Sequence, residues 1–343
     1  MAPPTAKVKP TSRIKPLQTM RGHTKDVIGV VHLRDRRRII TSSYDGSLRL
    51  WNIESGVQIG NDWRDDEAGD SGDRENAVWI IALSPNGKTI ASGGPSGKVR
   101  LWDVKTEKVV ARWTGHTKAT RSLCWSGDGE RVVSGFYDGT MRVWDVESGD
   151  TVLGPIKTGH RVVFAVIYSP DTTKIATGGY REDALKIWDA KTGNLLSTIK
   201  LDCPVWSLAW TSDQKKIVTG SEEGSIRIFD TDTCQQIAIL EGHKYTVRSL
   251  SLFQNDRFLA SGSDDETARL WNLDTNLPVG SPIQHQAYVY SAAISADGKQ
   301  LVTGCADAKA YVWDIHTILK DVGLEDLLST YDVNTATSVS SQY

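Results

Sequence analysis

The stretch LEGHKYTVRSLSLFQNDRFLASGSDDETARLWNL, residues 240–273, contains the pattern that decides the fold. Three short runs within it, TVRSLSLF, FLASGS and TARLWNL, are rich in apolar and β-branched residues, and the turns NDR and SDDE separate them. Runs of this length bounded by turn residues are typical of β-strands joined in hairpins, and no helical period is present. The stretch therefore predicts a small antiparallel sheet between Gly242-His243 and Trp271-Asn272.

The same pattern recurs along the whole chain. Seven pairs of an aromatic residue followed by aspartate or asparagine occur at successive spacings of 51, 42, 44, 41, 42 and 42 residues. The pairs are Trp51-Asn52, Trp102-Asp103, Trp144-Asp145, Trp188-Asp189, Phe229-Asp230, Trp271-Asn272 and Trp313-Asp314. Earlier in the repeats stand Gly22-His23, Gly115-His116, Gly159-His160 and Gly242-His243, with Gln284-His285 in the seventh. A further strand after each aromatic pair, such as QQIAILE, completes four strands per repeat, so the period predicts seven stacked sheets.

This set of motifs resembles the WD40-repeat family, and the resemblance covers residues 14–316. It implies an all-β fold, a seven-bladed WD40 β-propeller, here as a stand-alone seven-repeat protein. In that family the strand before each Gly-His is the outer strand of the preceding blade, so residues 14–20 are expected to join the last blade and close the ring. Outside the propeller we predict a flexible N-terminal arm over residues 1–13, a short amphipathic helix over 317–329 and a disordered tail over 330–343.

Two repeats depart from the pattern. Repeats two and five lack Gly-His, and Phe229 replaces tryptophan in repeat five. The first spacing is long because an acidic insertion, residues 62–76, separates blades one and two. Blades two and five are therefore predicted to be the least regular. The insertion does not match the alternating ligand positions of an EF-hand loop, so we interpret it as a solvated loop, with an acidic docking loop as the sharper alternative.

The composition excludes several classes of protein. The 40 basic and 42 acidic residues give a net charge of −2, which provides no overall attraction to nucleic acid or to anionic membranes. No apolar stretch is long enough for a transmembrane helix, and the N-terminus lacks the apolar core of a secretory signal. The four cysteines, which no C-x-x-C spacing pairs, are expected as free thiols: Cys124, Cys203, Cys234 and Cys305. We predict an intracellular protein, cytoplasmic or nuclear, without a membrane partner.

The repeated histidines invite a catalytic or metal-binding interpretation, which the resemblance argues against. In the WD40 family this histidine, a turn aspartate, a serine or threonine and the tryptophan form a buried hydrogen-bonded tetrad. The matching sets here are His23-Asp45-Thr41-Trp51, His116-Asp138-Ser134-Trp144, His243-Asp265-Ser261-Trp271 and His285-Asp307-Thr303-Trp313, with Glu182 as the acid beside His160. A carboxylate and a hydroxyl satisfy both nitrogens of a buried imidazole. We predict no catalytic residue, no metal and no cofactor.

The P-loop-like segment SPNGKT, residues 84–89, lacks the first glycine of that motif. Similar segments recur between the first two strands of other repeats, for example SGDGER and SADGKQ. It is interpreted as a hairpin turn of the repeat.

One position of the repeat holds residue types that the stability of the fold does not explain. It follows the apolar residue that starts each first strand, and we call its seven members the channel mouth: Ile28, Trp79, Arg121, Phe164, Trp206, Arg248 and Tyr290. In WD40 proteins this position lies where the central channel opens on the narrow face, and peptide partners often bind there. Aromatic residues and arginine are enriched in binding hot spots. The competing interpretation is that these side chains only fill the channel.

The channel mouth leads to a functional hypothesis. The resemblance and the six candidate site residues (Trp79, Arg121, Phe164, Trp206, Arg248 and Tyr290) favour a scaffold or adaptor that binds a peptide segment. Arg121 and Arg248, three blades apart, are expected to face one another without an acidic partner in the protein, so the partner segment should carry an acidic or phosphorylated residue beside an apolar one. The alternatives are a propeller enzyme and a nucleic-acid-associated subunit; the sequence shows no nucleophile–base pair outside the tetrads.

Overall fold

The computed structural model describes residues 14–65, 75–116, 118–180, 185–253 and 256–324. Within them the chain forms seven four-stranded antiparallel sheets, and the predicted seven-bladed β-propeller is confirmed. The strands are short because each apolar run ends in a turn. The segment SPNGKT is such a turn: Ser84 N–H donates to Thr89 O (2.8 Å), and Gly87 takes a left-handed φ of 73°.

Each blade runs from an inner to an outer strand. Blade one comprises β2 (Val27–His32), β3 (Arg38–Ser43), β4 (Leu48–Asn52) and β5 (Gln58–Trp63). Blade two comprises β6 (Ile80–Leu83), β7 (Thr89–Gly93), β8 (Val99–Asp103) and β9 (Lys108–Trp113). Blade three comprises β10 (Thr120–Trp125), β11 (Arg131–Phe136), β12 (Thr140–Asp145) and β13 (Thr151–Lys157). Blade four comprises β14 (Val163–Tyr168), β15 (Lys174–Gly179), β16 (Leu185–Asp189) and β17 (Leu195–Ile199).

The remaining blades follow the same order. Blade five comprises β18 (Val205–Trp210), β19 (Lys216–Ser221), β20 (Ile226–Asp230) and β21 (Gln236–Leu240). Blade six comprises β22 (Val247–Phe253), β23 (Phe258–Ser263), β24 (Thr267–Asn272) and β25 (Leu277–Gln284). Blade seven comprises β26 (Val289–Ile294), β27 (Gln300–Cys305), β28 (Lys309–Asp314) and, from the other end of the chain, β1 (Gln18–Arg21).

The inner strands form the ring. Each inner strand contacts those of both neighbouring blades, and the series returns from β26 to β2. The apolar clusters of the core join residues of neighbouring blades; one contains Leu50 of blade one together with Ile81 and Trp102 of blade two. A single blade cannot bury these faces alone, so stacking around the ring supplies the core.

The ring closes through the N-terminal strand, as predicted. β1 pairs antiparallel with β28, with Gln18 opposite Val312 and Arg21 opposite Lys309. Leu17 N–H extends the ladder by donating to Val312 O at 2.7 Å. The regular strand begins at Gln18 rather than at residue 14, while Ile14 packs on the core of blades six and seven. Residues 1–13, predicted to be a flexible arm, lie outside the described residues.

A short helix, α1 (Ile315–Lys320), follows the last strand directly. Asp314 caps it by accepting hydrogen bonds from His316 N–H at 3.1 Å and from the Thr317 hydroxyl at 2.6 Å. Its buried residues Ile318 and Leu319 belong to the same apolar cluster as blades six and seven. The helix therefore starts two residues before the predicted 317–329, and residues 325–343, including the predicted tail, lie outside the described residues.

Blades one and six contain complete tetrads. His23 Nδ1 donates to Asp45 Oδ2 (2.8 Å), and His23 Nε2 lies 2.7 Å from the hydroxyl of Thr41. The same hydroxyl accepts from Trp51 Nε1 at 2.8 Å. Blade six repeats these contacts through His243, with Asp265 at 2.9 Å and Ser261 at 2.7 Å. Burial alone would raise the pKa of the Asp45 carboxyl, but the hydrogen bond from His23 holds that pKa well below its usual range.

The other predicted tetrads are incomplete. In blade three Trp144 donates to Ser134 (2.7 Å), but His116 Nδ1 lies 3.5 Å from Asp138 Oδ2. His116 Nε2 has no hydrogen-bond partner among the described residues.

In blades four and seven the histidine keeps its hydroxyl partner, and the acid differs. His160 Nε2 lies 3.1 Å from the Thr177 hydroxyl, and Glu182, predicted as its acid, lies outside the described residues. In blade seven the predicted contact between His285 and Asp307 is wrong. Asp307 instead accepts from the Tyr311 hydroxyl, while His285 Nδ1 donates to Ile283 O. Tyr311 and Lys309 therefore take the place of the histidine as donors to the turn carboxylate.

Blades two and five replace the histidine in different ways. In blade two the insertion supplies Asp65, which accepts from Arg100 Nε at 2.6 Å and from Arg112 Nη2 at 2.5 Å. This buried ion pair anchors the start of the insertion, while residues 66–74 lie outside the described residues. In blade five the replacement is apolar, because Leu201 and Phe229 are buried in one cluster. Because blade five has neither the histidine nor the tryptophan of the repeat, these two positions leave no imidazole or indole nitrogen without a hydrogen-bond partner.

We expect the histidine tetrads to contribute unequally to stability. His243→Ala removes the imidazole donor to Asp265 and the partner of the Ser261 hydroxyl, and should lower the free energy of unfolding by about 1–3 kcal/mol. His116→Ala should cost less, because His116 makes no short contact with Asp138. Urea denaturation of both variants measures the difference. Equal losses would contradict the proposed contribution of the two short bonds.

The partly buried His32 should make the fold sensitive to mild acid. Burial lowers the pKa of His32 to about 4, so the folded protein keeps it neutral while the unfolded chain protonates near pH 6.5. Stability should therefore be lost as the pH falls from about 6.5 toward 4, with a loss of about 2 kcal/mol from His32 by pH 5. His32→Gln should reduce the fall in Tm between pH 7 and pH 5. An unchanged fall would show that His32 does not contribute.

Candidate functional site

The channel mouth is built by a repeated irregularity of the inner strands. In six blades the pairing of the inner strand with its neighbour skips one residue, and that residue is the mouth residue: Ile28, Arg121, Phe164, Trp206, Arg248 or Tyr290. Such a bulge turns a side chain away from the regular alternation. In blade two Trp79 lies just before β6, and its N–H donates to Gly93 O at 2.8 Å.

The structure brings most of the predicted site residues into one cluster. The rings of Phe164 and Trp206 stack with centroids 3.8 Å apart and planes 9° apart. Arg248 lies over the Trp206 ring, with Cζ 4.1 Å from its centroid and 5.8 Å from the Tyr290 centroid. Ile28 is buried, whereas the six candidate site residues are only partly buried and keep exposed surface.

A second row of side chains completes the mouth and was not predicted. Tyr44 and Tyr137 flank Trp79 edge-on, with ring centroids 6.2 and 5.9 Å away, and Tyr137 also approaches Phe164. Each belongs to the turn after the second strand, where its N–H donates to the loop before the inner strand, at Asp26 O and Ala119 O respectively. Both tyrosines could have been identified from the sequence, because they directly precede the tetrad aspartates Asp45 and Asp138.

Asp264 occupies the same turn position in blade six and corrects one prediction. It accepts a two-pronged ion pair from Arg248, with Nε 2.8 Å from Oδ1 and Nη2 2.5 Å from Oδ2. The expectation that both mouth arginines lack an acidic partner in the protein is therefore wrong for Arg248. Its guanidinium is neutralised locally and held over Trp206.

Arg121 differs from Arg248. It makes no hydrogen bond and no ion pair with any residue that the structure describes, and its defined contact is a cation–π approach of 5.7 Å to Trp206. Burial lowers the pKa of its guanidinium, and the neighbouring charge of Arg248 lowers that pKa further. Arg121 thus carries a partly desolvated positive charge with its donors directed to no acceptor of the described chain.

Other polar groups at the mouth set its electrostatics. Trp206 Nε1 is buried and has no acceptor among the described residues. Burial raises the pKa of the Asp26 carboxyl, which also hydrogen-bonds Tyr290. The mouth therefore presents one partly exposed donor group without a partner among the described residues, the Arg121 guanidinium, beside aromatic surface. Such a surface suits a ligand that brings an acceptor and an apolar group.

The exposed aromatic residues lie at the same end of the ring. Among the described residues three aromatic side chains are exposed: Tyr180, Tyr245 and Tyr288. Tyr180 follows β15, whereas Tyr245 and Tyr288 precede β22 and β26, so all three belong to the loops that surround the mouth. Tyr288 also contacts Tyr290, with centroids 6.4 Å apart. Tyrosine gives large contact area at low entropic cost, which suits a binding surface.

Two further observations concern other kinds of site. Across the described ranges, no group of three or more histidine, cysteine, aspartate or glutamate side chains is placed to hold a metal ion. Nor does any helix in that part of the chain have the length and apolar character to cross a membrane.

The fold and the ring of inner-strand bulges define a WD40-type β-propeller, and comparison with known families agrees. Residues 70–314 match the family model described as the IFT122 first beta-propeller, and residues 14–52 match that of the WD domain, G-beta repeat. The chain therefore belongs to the WD40-repeat β-propeller family. Proteins of this family typically act as protein-interaction scaffolds.

Individual relatives are more distant. The chain is 29% identical over 51% of its length to WD repeat-containing protein VIP3 of Arabidopsis thaliana, covering 58% of that protein. It is 25% identical over 61% of its length to Autophagy-related protein 16 of Arabidopsis thaliana, covering 40% of it. It is also 25% identical over 61% of its length to Eukaryotic translation initiation factor 3 subunit I of Botryotinia fuckeliana, covering 63% of it. The matched part is thus less than two thirds of each relative.

The ion pair between Arg248 and Asp264 should stabilise the mouth itself. Asp264→Asn removes the acceptor charge and leaves two guanidinium groups over one indole ring, so we expect a loss of about 1–3 kcal/mol in the free energy of unfolding. The loss should shrink in high salt, which screens the repulsion. Chemical denaturation at low and high salt measures both effects. A variant as stable as the parent would contradict the pairing.

Proposed function

We propose that this propeller is a scaffold or adaptor that binds a peptide segment of a partner protein at the channel mouth. The segment carries an acidic or phosphorylated residue next to an apolar one. The acidic group pairs with Arg121, and the apolar side chain packs on the aromatic surface around Trp79, Phe164 and Trp206.

The observation that carries this proposal is the contrast between the two arginines. Arg248 has a carboxylate of its own in Asp264, whereas Arg121 has no hydrogen-bonding partner among the described residues. A partly desolvated charge without a partner is costly, and a carboxylate or phosphate from a ligand reduces that cost through charge-assisted hydrogen bonds. A mouth that only filled the channel would need no such group.

The apolar half of the site is supported by the arrangement around Trp79. Its indole stands between the edges of Tyr44 and Tyr137 and remains partly exposed. Flat rings held by their neighbours lose little conformational freedom on binding, so they favour affinity. The acidic and apolar contacts lie in one continuous group, because Tyr137 links Trp79 to Phe164.

The setting supports a partner inside the cell. All four cysteines are free, as is usual for proteins of reducing compartments. One of the relatives is named as a subunit of an initiation factor, and therefore of a larger assembly. We propose an intracellular protein whose partners are other proteins.

Selection from a displayed library of random peptides tests the proposal, with the purified 343-residue chain as bait. We expect selected peptides to share an acidic residue adjacent to an aromatic or aliphatic one. Arg121→Gln should weaken binding of a synthetic selected peptide about tenfold or more, and Trp206→Ala should weaken it by about 2 kcal/mol. Replacing the acidic residue by phosphoserine in one arm and by its neutral amide in another separates carboxylate from phosphate recognition.

The matched control is Arg37→Gln, an exposed arginine of the turn between β2 and β3. It should bind as the parent does, and thermal melts should show that all variants fold. Selected peptides without an acidic residue, or full binding by Arg121→Gln, would refute charge recognition at Arg121. Unfolding of Trp206→Ala would instead favour the interpretation that the aromatic side chains fill the channel.

A further inference from the structure

A second position of the repeat borders the channel mouth, two residues before each mouth residue. In six blades its backbone carbonyl accepts a hydrogen bond from the N–H of the turn after the second strand; in blade one this bond joins Asp26 O to Tyr44 N at 3.1 Å. Because the backbone makes this contact, the fold does not require a particular side chain here. The seven residues are accordingly varied: Asp26, Ala77, Ala119, Val162, Pro204, Thr246 and Tyr288.

Asp26 is the only charged residue of this set. Its side chain is half-buried, and it makes no ion pair with any residue that the structure describes. Burial raises the pKa of the Asp26 carboxyl and the nearby charge of Asp307 adds to this, whereas hydrogen bonds from its own N–H and from Tyr290 act in the opposite direction. Asp26 is thus an acid without a cation, at a mouth where Arg121 is a cation without an acid.

The Trp79 ring and its two tyrosine neighbours lie between the loops that carry these two charges. Blade two, with Trp79, stands between blade one, with Asp26, and blade three, with Arg121. Tyr44 and Tyr137 flank the Trp79 ring, and their backbone N–H groups donate to Asp26 O and to the loop just before Arg121. Both charges also act on the Tyr44 hydroxyl, since Arg121 lowers its pKa and Asp26 raises it. The mouth therefore presents, in order, an acid, an aromatic surface and a base.

We propose that the channel mouth recognises a segment in which an apolar residue lies between a basic and an acidic residue. The lysine or arginine pairs with Asp26, the apolar side chain packs on Trp79, and the acidic group pairs with Arg121. This inference rests on the proposed function and specifies the partner segment further. An extended segment advances about 3.3 Å per residue, so about three to five residues cover the two ring contacts of Trp79, whose centroid distances are 6.2 and 5.9 Å.

A cation suits Asp26 better than a neutral donor does. Charge-assisted hydrogen bonds are stronger than neutral ones, and the second carboxylate nearby, Asp307, adds to the attraction for positive charge. Asp307 has its own cation in Lys309, whose Nζ lies 2.8 Å from Oδ2. The opposite charges of Asp26 and Arg121 also fix the direction of the segment. A reversed segment would place its acid beside Asp26 and its base beside Arg121, and like charges at an interface repel.

The peptides selected on the 343-residue chain test this inference. We expect them to carry lysine or arginine on the opposite side of the apolar residue from the acidic one. Replacing that basic residue by methionine should weaken binding to the parent chain about tenfold, and Asp26→Asn should weaken binding of the unchanged peptide by a similar factor. Together the two changes should weaken binding no more than either alone, because they remove one and the same contact.

Asp26→Asn keeps a side-chain oxygen that can accept from Tyr290, so a thermal melt should show an intact fold. The matched control is Asp150→Asn, since Asp150 is exposed in the turn between β12 and β13, at the other end of the blade from the mouth. This variant should bind the selected peptide as the parent does.

The outcomes separate this inference from the proposed function. Selected peptides with an acidic but no basic residue would overturn the inference and leave the proposed function standing. So would a methionine-substituted peptide that binds the parent chain fully, because Asp26 would then only support Tyr290, or two losses that multiply when combined. Selected peptides without an acidic residue, or a library that yields no binding peptide, would overturn the proposed function and this inference together.

Discussion

One contact sets the distance between most neighbouring blades of the ring. In it, a glycine in the second strand of one blade packs against a valine in the first strand of the next. A Cβ on Gly220 would lie 2.8 Å from Val247 Cγ1, and one on Gly262 would lie 2.8 Å from Val289 Cγ1. The same contact, at 2.9 Å, joins Gly304 of blade seven to Val27 of blade one across the point of closure. Real side chains do not approach so closely, so only glycine lets neighbouring blades pack at this separation.

The site follows from this contact. The valines that enter the glycine positions are fully buried, and the residue after each valine is the bulged mouth residue. Close packing of the inner strands therefore holds the bulge in place. Farther out, the tetrads link the loop before each blade to its third strand, and blades two and five achieve this with an ion pair and an apolar contact instead. These differences between blades lie outside the inner strands, so they do not displace the channel mouth.

Much of the fold could be predicted from the sequence because the same pattern of residues occurs seven times. Strand number and ring closure depend on local spacing, which the Gly-His and Trp-Asp pairs mark in the sequence. The partner of Arg248 could not be found in that way, because Asp264 comes from a turn whose equivalent residues differ from blade to blade, as Tyr44 and Tyr137 do. The loss of the contact between His285 and Asp307 was missed for a related reason: Tyr311 and Lys309 also reach this carboxylate, and spacing alone does not rank the three donors.

The contrast between a neutralised and an unpartnered arginine over one indole ring is the centre of the functional account. The most direct measurement is a structure of the full chain bound to a peptide selected for affinity. The account requires a carboxylate or phosphate oxygen within hydrogen-bonding distance of Arg121, with the neighbouring apolar side chain against Trp79 or Trp206. A peptide seated at the outer strands, or one that leaves Arg121 without an acidic contact, would contradict it.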